Sequence, residues 1–140
     1  MRLVLDTNVV ASALLWGGRP AQVLRLRYER RVRLFTSMQL LTELAEILER
    51  PKFERKIAAS QLSIDQLLER YAALADVVRP DDVGRIAPDP DDDVLIGTAL
   101  AARADVIVTG DQGLLTVRAF RGVRLQTVAD VLGAIDAAQQ

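Results

Sequence analysis

The chain contains no cysteine and no histidine. Without cysteine there are no disulfides, thiolate nucleophiles, iron–sulfur clusters or Cys-bound zinc. Without histidine, Ser-His-Asp and Cys-His catalysis, imidazole-bound metals and the usual general base near neutrality are excluded as well. Any catalysis therefore rests on carboxylates, hydroxyls, Lys, Arg, Tyr and metal-activated water. No apolar run approaches membrane-spanning length. The first residues lack a basic segment followed by an apolar stretch and a small-residue cleavage site, so a cytoplasmic protein is expected. No Gly-x-Gly-x-x-Gly follows the first apolar run, which argues against dinucleotide binding.

What is present describes a globular chain. Half of the 140 residues are apolar and 26% are charged, enough for one domain over residues 1–140 with a real core. The formal net charge is only −1, but it is unevenly spread. Arg19, Arg25, Arg27, Arg30, Arg31 and Arg33 crowd one stretch against Glu29 alone. Asp81, Asp82, Asp89, Asp91, Asp92 and Asp93 crowd another against Arg85 alone. That division suits a phosphodiester substrate, with arginines on the backbone and carboxylates on a metal. A solvated helix face is the plainer account of the arginines.

Apolar runs predict strands at 2–5, 32–35, 76–79, 106–109 and 123–126. Helical spacing predicts helices at 8–16, 20–30, 37–50, 52–59, 63–74, 94–103 and 127–138, with a short helix or turn over 112–120. Pro20 suits a helix start, Pro51 interrupts a helix, and Ser37, Ser63 and Thr127 are placed as N-caps. Residues 80–91 form the single long loop, acidic and proline-bearing. Alternating strands and helices imply an α/β fold whose parallel sheet is covered on both faces.

In such a fold, strand C-termini and the N-termini of the following helices share one edge. Asp6 follows the first strand, Glu43 lies in the second turn of the helix after the second, Asp92 and Asp93 open the helix after the third, and Asp111 follows the fourth. Glu43 borders the apolar stripe of Leu40, Leu41, Leu44, Ala45, Ile47 and Leu48, while Glu46 points to solvent. Each acid alone has an ordinary structural account as a cap, a turn residue or a surface charge. Together they would repel one another strongly unless protonated or bridged by a cation, and Mg²⁺ or Mn²⁺ prefers such oxygen ligands.

With these residues placed, the chain resembles a PIN domain. More narrowly, it resembles the PIN-family toxins of bacterial toxin–antitoxin pairs, relatives of VapC-type ribonucleases. The matching stretches are Leu5-Asp6-Thr7-Asn8-Val9-Val10 with Ser12-Ala13-Leu14-Leu15, Leu41-Thr42-Glu43-Leu44, Asp89-Pro90-Asp91-Asp92-Asp93, and Ala104-Asp105-Val106-Ile107-Val108-Thr109-Gly110-Asp111. The resemblance implies a three-layer α/β/α fold with a five-stranded parallel sheet of order 3-2-1-4-5. It also implies Mg²⁺- or Mn²⁺-dependent endoribonuclease activity, hydrolysing RNA phosphodiester bonds. By the same resemblance Asp6, Glu43, Asp92 and Asp111 are the metal-binding, catalytic acids, and Asn8 and Thr109 are polar supports for the metal or the phosphate. Matching the helix after the loop favours Asp92 among Asp91, Asp92 and Asp93, with Asp93 as the alternative third acid, joining the site or capping the helix. A cognate antitoxin that covers the cleft and a homodimer paired through helical surfaces are the implied partners.

Other classes fit less well. A haloacid dehalogenase-like phosphotransferase begins Asp-x-Asp, where this chain has Asn8. A Toprim-like enzyme needs a glutamate after the first strand, where this chain has Asp6. The remaining alternative is a catalytically weak PIN module that binds RNA or an antitoxin without turnover.

Overall fold

Leu3, Leu5, Leu34, Val106 and Val108 pack into one apolar cluster, and their alternate neighbours Val4, Phe35 and Ile107 pack into another. Because strand side chains alternate in direction, this division marks the two faces of one sheet, each buried. The computed structural model describes residues 1–87 and 89–138. Pro88 of the expected 80–91 loop and residues 139–140 of the expected domain span lie outside the described residues.

The strands are β1 (Arg2–Leu5), β2 (Arg33–Thr36), β3 (Ala75–Val77), β4 (Val106–Val108), β5 (Ala119–Phe120) and β6 (Val123–Gln126). The helices are α1 (Thr7–Leu15), α2 (Arg19–Tyr28), α3 (Met38–Leu48), α4 (Glu54–Ser60), α5 (Ile64–Leu74), α6 (Pro90–Ala101), α7 (Gln112–Leu115) and α8 (Val128–Ala138), with a 3₁₀ turn at Pro51–Phe53. The sheet runs β3-β2-β1-β4-β6-β5, with every pairing parallel except β5 with β6. Apolar residues of α1, α2, α3, α5 and α8 build the first cluster, and α6 and α7 supply much of the second. The expected α/β architecture is therefore present: a central, largely parallel sheet between helices.

The sheet has six strands rather than five. Ala119–Phe120 falls within the segment expected as a short helix or turn. It folds back on β6 through a two-residue connection, Arg121-Gly122, with positive φ at both positions (46° and 87°). Two such residues define the hairpin turn whose twist matches antiparallel strands. The helix after the long loop also starts earlier than expected, at Pro90 rather than Val94, so Asp91, Asp92 and Asp93 occupy its first turn. That loop closes on α6 at Gly97, whose carbonyl accepts from the Asp81 amide at 3.0 Å. A Cβ at Gly97 would collide with the Asp81 carbonyl.

The caps follow the sequence reading. Ser37 accepts from the Leu40 amide, and Ser63 and Gln66 form a reciprocal capping box. Among the described residues no helix is long and apolar enough to cross a membrane.

Candidate functional site

The strand order turns around at β1: β2 and β3 lie to one side, β4 and β6 to the other. In open α/β sheets ligands bind outside the carboxyl ends of the strands at such a switch point. Leu5 pairs with Val108 in register, and the Asp6 amide donates to the Val108 carbonyl at 2.9 Å. This register sets the residues after β1 beside those after β4. Asp6 occupies the N-cap position of α1, yet its side chain caps nothing. Its Oδ2 accepts instead from Thr109 Oγ1 at 2.7 Å, and Thr109 Oγ1 in turn accepts from the Asp111 amide at 3.1 Å. Asp111 is exposed and caps α7, its Oδ1 accepting from the Leu114 amide.

Glu43 reaches the same region from α3. It is half-buried, and its Oε1 accepts from Thr7 Oγ1 at 2.7 Å. Burial pushes its pKa up and the Thr7 hydrogen bond opposes the rise, while Asp6, Asp91 and Asp89 add to it by repulsion. Asp92 is half-buried at the start of α6 and is pushed up to about 6. Burial is the largest cause, followed by the carboxylates of Asp6, Asp89, Asp111 and Glu43. The acids from all four segments thus act on one another at Asp92. Their hard oxygen donors and shared excess of negative charge fit a cation such as Mg²⁺ or Mn²⁺. As the side chains stand, hydroxyls engage Asp6 and Glu43 and a backbone amide engages Asp111. Among the described residues no group of three or more acids is gathered tightly enough to hold an ion.

A profile of the PIN domain matches residues 2–113, most of the chain and all of the acids just described. The chain belongs to the PIN-domain family. No curated protein matches the chain.

Two open clefts border the acids of this PIN domain. One, of about 360 Å³, is lined by Asp6, Asn8, Ser12, Pro20 and Asp111. The other, about 160 Å³, lies between α3 and α6 and is lined by Thr42, Glu43, Glu46 and Asp91. Asn8 stands exposed on the wall of the first, and Thr109 is fully buried beneath it.

Asp93 turns away from the other acids. It is 7% exposed, and its Oδ1 accepts from the Ala87 and Ile86 amides at 2.7 and 3.0 Å. Its Oδ2 faces Arg85 Nε at 3.4 Å. Asp93 therefore neither joins the site nor caps the helix. Asp89 is the cap, accepting from the Asp91 amide, and Asp93 fastens the preceding loop.

The sequence reading missed Thr7, which is buried and orients Glu43. Its only signal was its place between Asp6 and Asn8. Three arginines of the stretch lie away from the acids. Arg27, Arg30 and Arg33 line a separate cleft with Val32 and Asp76. Arg33 begins β2 beside Arg2, at the amino edge of the sheet, opposite the acids. Arg27 donates to the Leu74 carbonyl and so ties α2 to the end of α5, while Arg33 makes a solvent-exposed pair with Asp76.

Proposed function

We propose that this PIN domain is a metal-dependent endoribonuclease and the toxin of a toxin–antitoxin pair. The observation that carries the reading is the convergence of Asp6, Glu43, Asp92 and Asp111 at one edge of the sheet, where burial and the other acids raise Asp92. PIN domains are typically metal-dependent nucleases, which supports a phosphodiester substrate. In this reading Asp6, Glu43 and Asp92 hold a Mg²⁺ or Mn²⁺ ion, and Asp111 completes its site or holds a second. The bound ion supplies Lewis acidity toward the phosphate and activation of water. Thr109 and Thr7 fix the rotamers of Asp6 and Glu43, and each hydroxyl leaves the second oxygen of its acid for the ion. Asn8, exposed on the cleft wall, is placed to donate to a substrate phosphate.

The partners belong to the same proposal. An uncontrolled nuclease endangers its host, so a cognate antitoxin covers the cleft, and two copies pair through helical surfaces in the cytoplasm. The test is RNA cleavage by purified protein with Mg²⁺ or Mn²⁺. Asp6→Asn should abolish it with the circular dichroism spectrum unchanged, and wild-type cleavage by that variant would remove the assignment. The rival is a module that binds RNA or an antitoxin without turnover. It draws on the lack of a tight acid trio among the described residues. RNA binding with no cleavage under either metal would favour it.

A further inference from the structure

We propose that the groove along α1, leading from the acids to Trp16, is a channel for single-stranded RNA in which a base stacks on Trp16. The inference rests on the nuclease reading and adds where the strand lies and what grips it. Asn8 and Ser12 lie one turn apart on α1, Trp16 follows as its C-terminal cap with its amide donating to the Ser12 carbonyl, and all three line one cleft. The stretch from Asn8 to Trp16 is about 12 Å long, the length of roughly three or four stacked nucleotides. Asn8 and Ser12 belong to the cleft beside Asp6 and Asp111, and also to an adjoining cleft of about 650 Å³. The walls of that second cleft are Trp16, Arg50, Lys52 and Phe53, with no acid among them.

The sign of the charge therefore reverses along a continuous groove, carboxylates at one end and cations at the other. Among the described residues the ion pairs are Arg33–Asp76 and Arg85–Asp93, so Arg50 and Lys52 keep their charge for a polyanion. Trp16 is 38% exposed, and its ring meets that of Phe53 in a T-shaped arrangement, centroids 5.5 Å apart at 68°. Lys56 brings its ammonium to 5.4 Å from the Trp16 ring centre. A partly exposed aromatic ring among cations is the arrangement that grips single strands without reading their sequence, and an incoming base would take the ring surface that Lys56 leaves open. Stacking uses the flat face of any base.

Trp16 is the chain's single tryptophan, so fluorescence excited selectively at tryptophan, beyond tyrosine absorption, reports on this surface alone. The probe is a single-stranded oligoribonucleotide of about eight nucleotides, titrated into full-length Asp6→Asn protein in Mg²⁺. Saturable quenching that weakens with salt is expected. In the same background Trp16→Leu should loosen binding of the labelled oligonucleotide about tenfold, and Trp16→Phe should recover most of it. Absence of quenching, equal affinity of the Leu and Phe variants, or equally tight binding of a duplex would overturn the channel. Cleavage by the wild type separates the two readings. If the wild type cuts RNA while Trp16→Leu changes neither binding nor KM, the channel is wrong and the nuclease stands. If Trp16 is quenched and no metal supports cutting, the channel stands and the nuclease is wrong.

Discussion

Thr109 donates its hydroxyl to Asp6 across 2.7 Å although 103 positions separate the two in the chain. The pairing of β1 with β4 makes the contact, and the same hydroxyl accepts from the Asp111 amide, so one buried side chain ties two acids together. Thr109→Val preserves shape and removes the hydroxyl. We expect Mn²⁺ affinity, read by calorimetry, to fall about tenfold with little change in the fold, and Thr109→Ser to retain most of it. Equal affinity for Val and wild type would leave Thr109 with a packing role only.

Asp92 sets a pH dependence. Its pKa in the fold, raised to about 6 by burial and four carboxylates, lies above its unfolded value. Between those values the folded chain holds a proton that the unfolded chain releases. The metal-free fold therefore gains stability as pH falls from 7 through 6, and Glu43, also raised, acts in the same direction. Melting in EDTA should show a midpoint that rises between pH 7 and about 5. Asp92→Asn should flatten the rise and lift the midpoint at pH 7, and a profile unchanged by that substitution would contradict the placement.

Much of this site was legible because it follows from the handedness of βαβ units. Once β1, β2, β3 and β4 are read as apolar runs, Asp6, Glu43, Asp92 and Asp111 must share an edge. Whether a carboxylate faces a metal site or a loop amide was not legible. Asp92 and Asp93 are neighbours of identical chemistry, and only the path of residues 85–87 separates them. β5 was hidden for another reason: two residues carry no periodicity, and Arg121-Gly122 lacks the Asn or Asp that usually marks such a turn. Arg27, Arg30 and Arg33 lie away from the acids because charge density along the chain says nothing about which edge of a sheet receives it.

Asp93 offers a test of loop anchoring. The Ala87 amide holds its carboxylate below the ordinary range against the cost of burial, aided by the Ile86 amide and by Arg85. Stability from this anchor is present above the unfolded pKa and is lost only as acid reaches the lowered folded value. Asp93→Ala should speed hydrogen exchange at the Ile86 and Ala87 amides at neutral pH. Unchanged exchange there would mean that the loop is held by other contacts.

Gly97 supplies a purely steric prediction. Its missing Cβ lets the Asp81 backbone lie against α6. Gly97→Ala improves helix propensity in isolation, but the collision with a backbone carbonyl outweighs it. A net loss of about 1–3 kcal/mol is expected in urea unfolding. A stabilised variant would show that the backbone around Asp81 shifts freely.

The two arginine regions can be compared directly. Arg33→Gln should leave the salt dependence of RNA binding unchanged, because its exposed pair with Asp76 sits at the far edge of the sheet. Lys52→Gln should reduce the slope of log K against log salt by about 0.7, the loss of one phosphate contact on a single strand. Equal slopes for the two variants would count against the placement of the strand.

The family match ends at residue 113, but the sheet does not. Val106, Ile107 and Val108 are fully buried, and β6 pairs with their free side while β5 finishes the sheet with only two residues. A fragment trimmed to the matched region would leave β4 as a bare apolar border with unpaired backbone groups, inviting edge-to-edge aggregation. The segment from Leu114 onward is thus the seal of the sheet, and a shortened protein would fail by clumping before any question of chemistry arose.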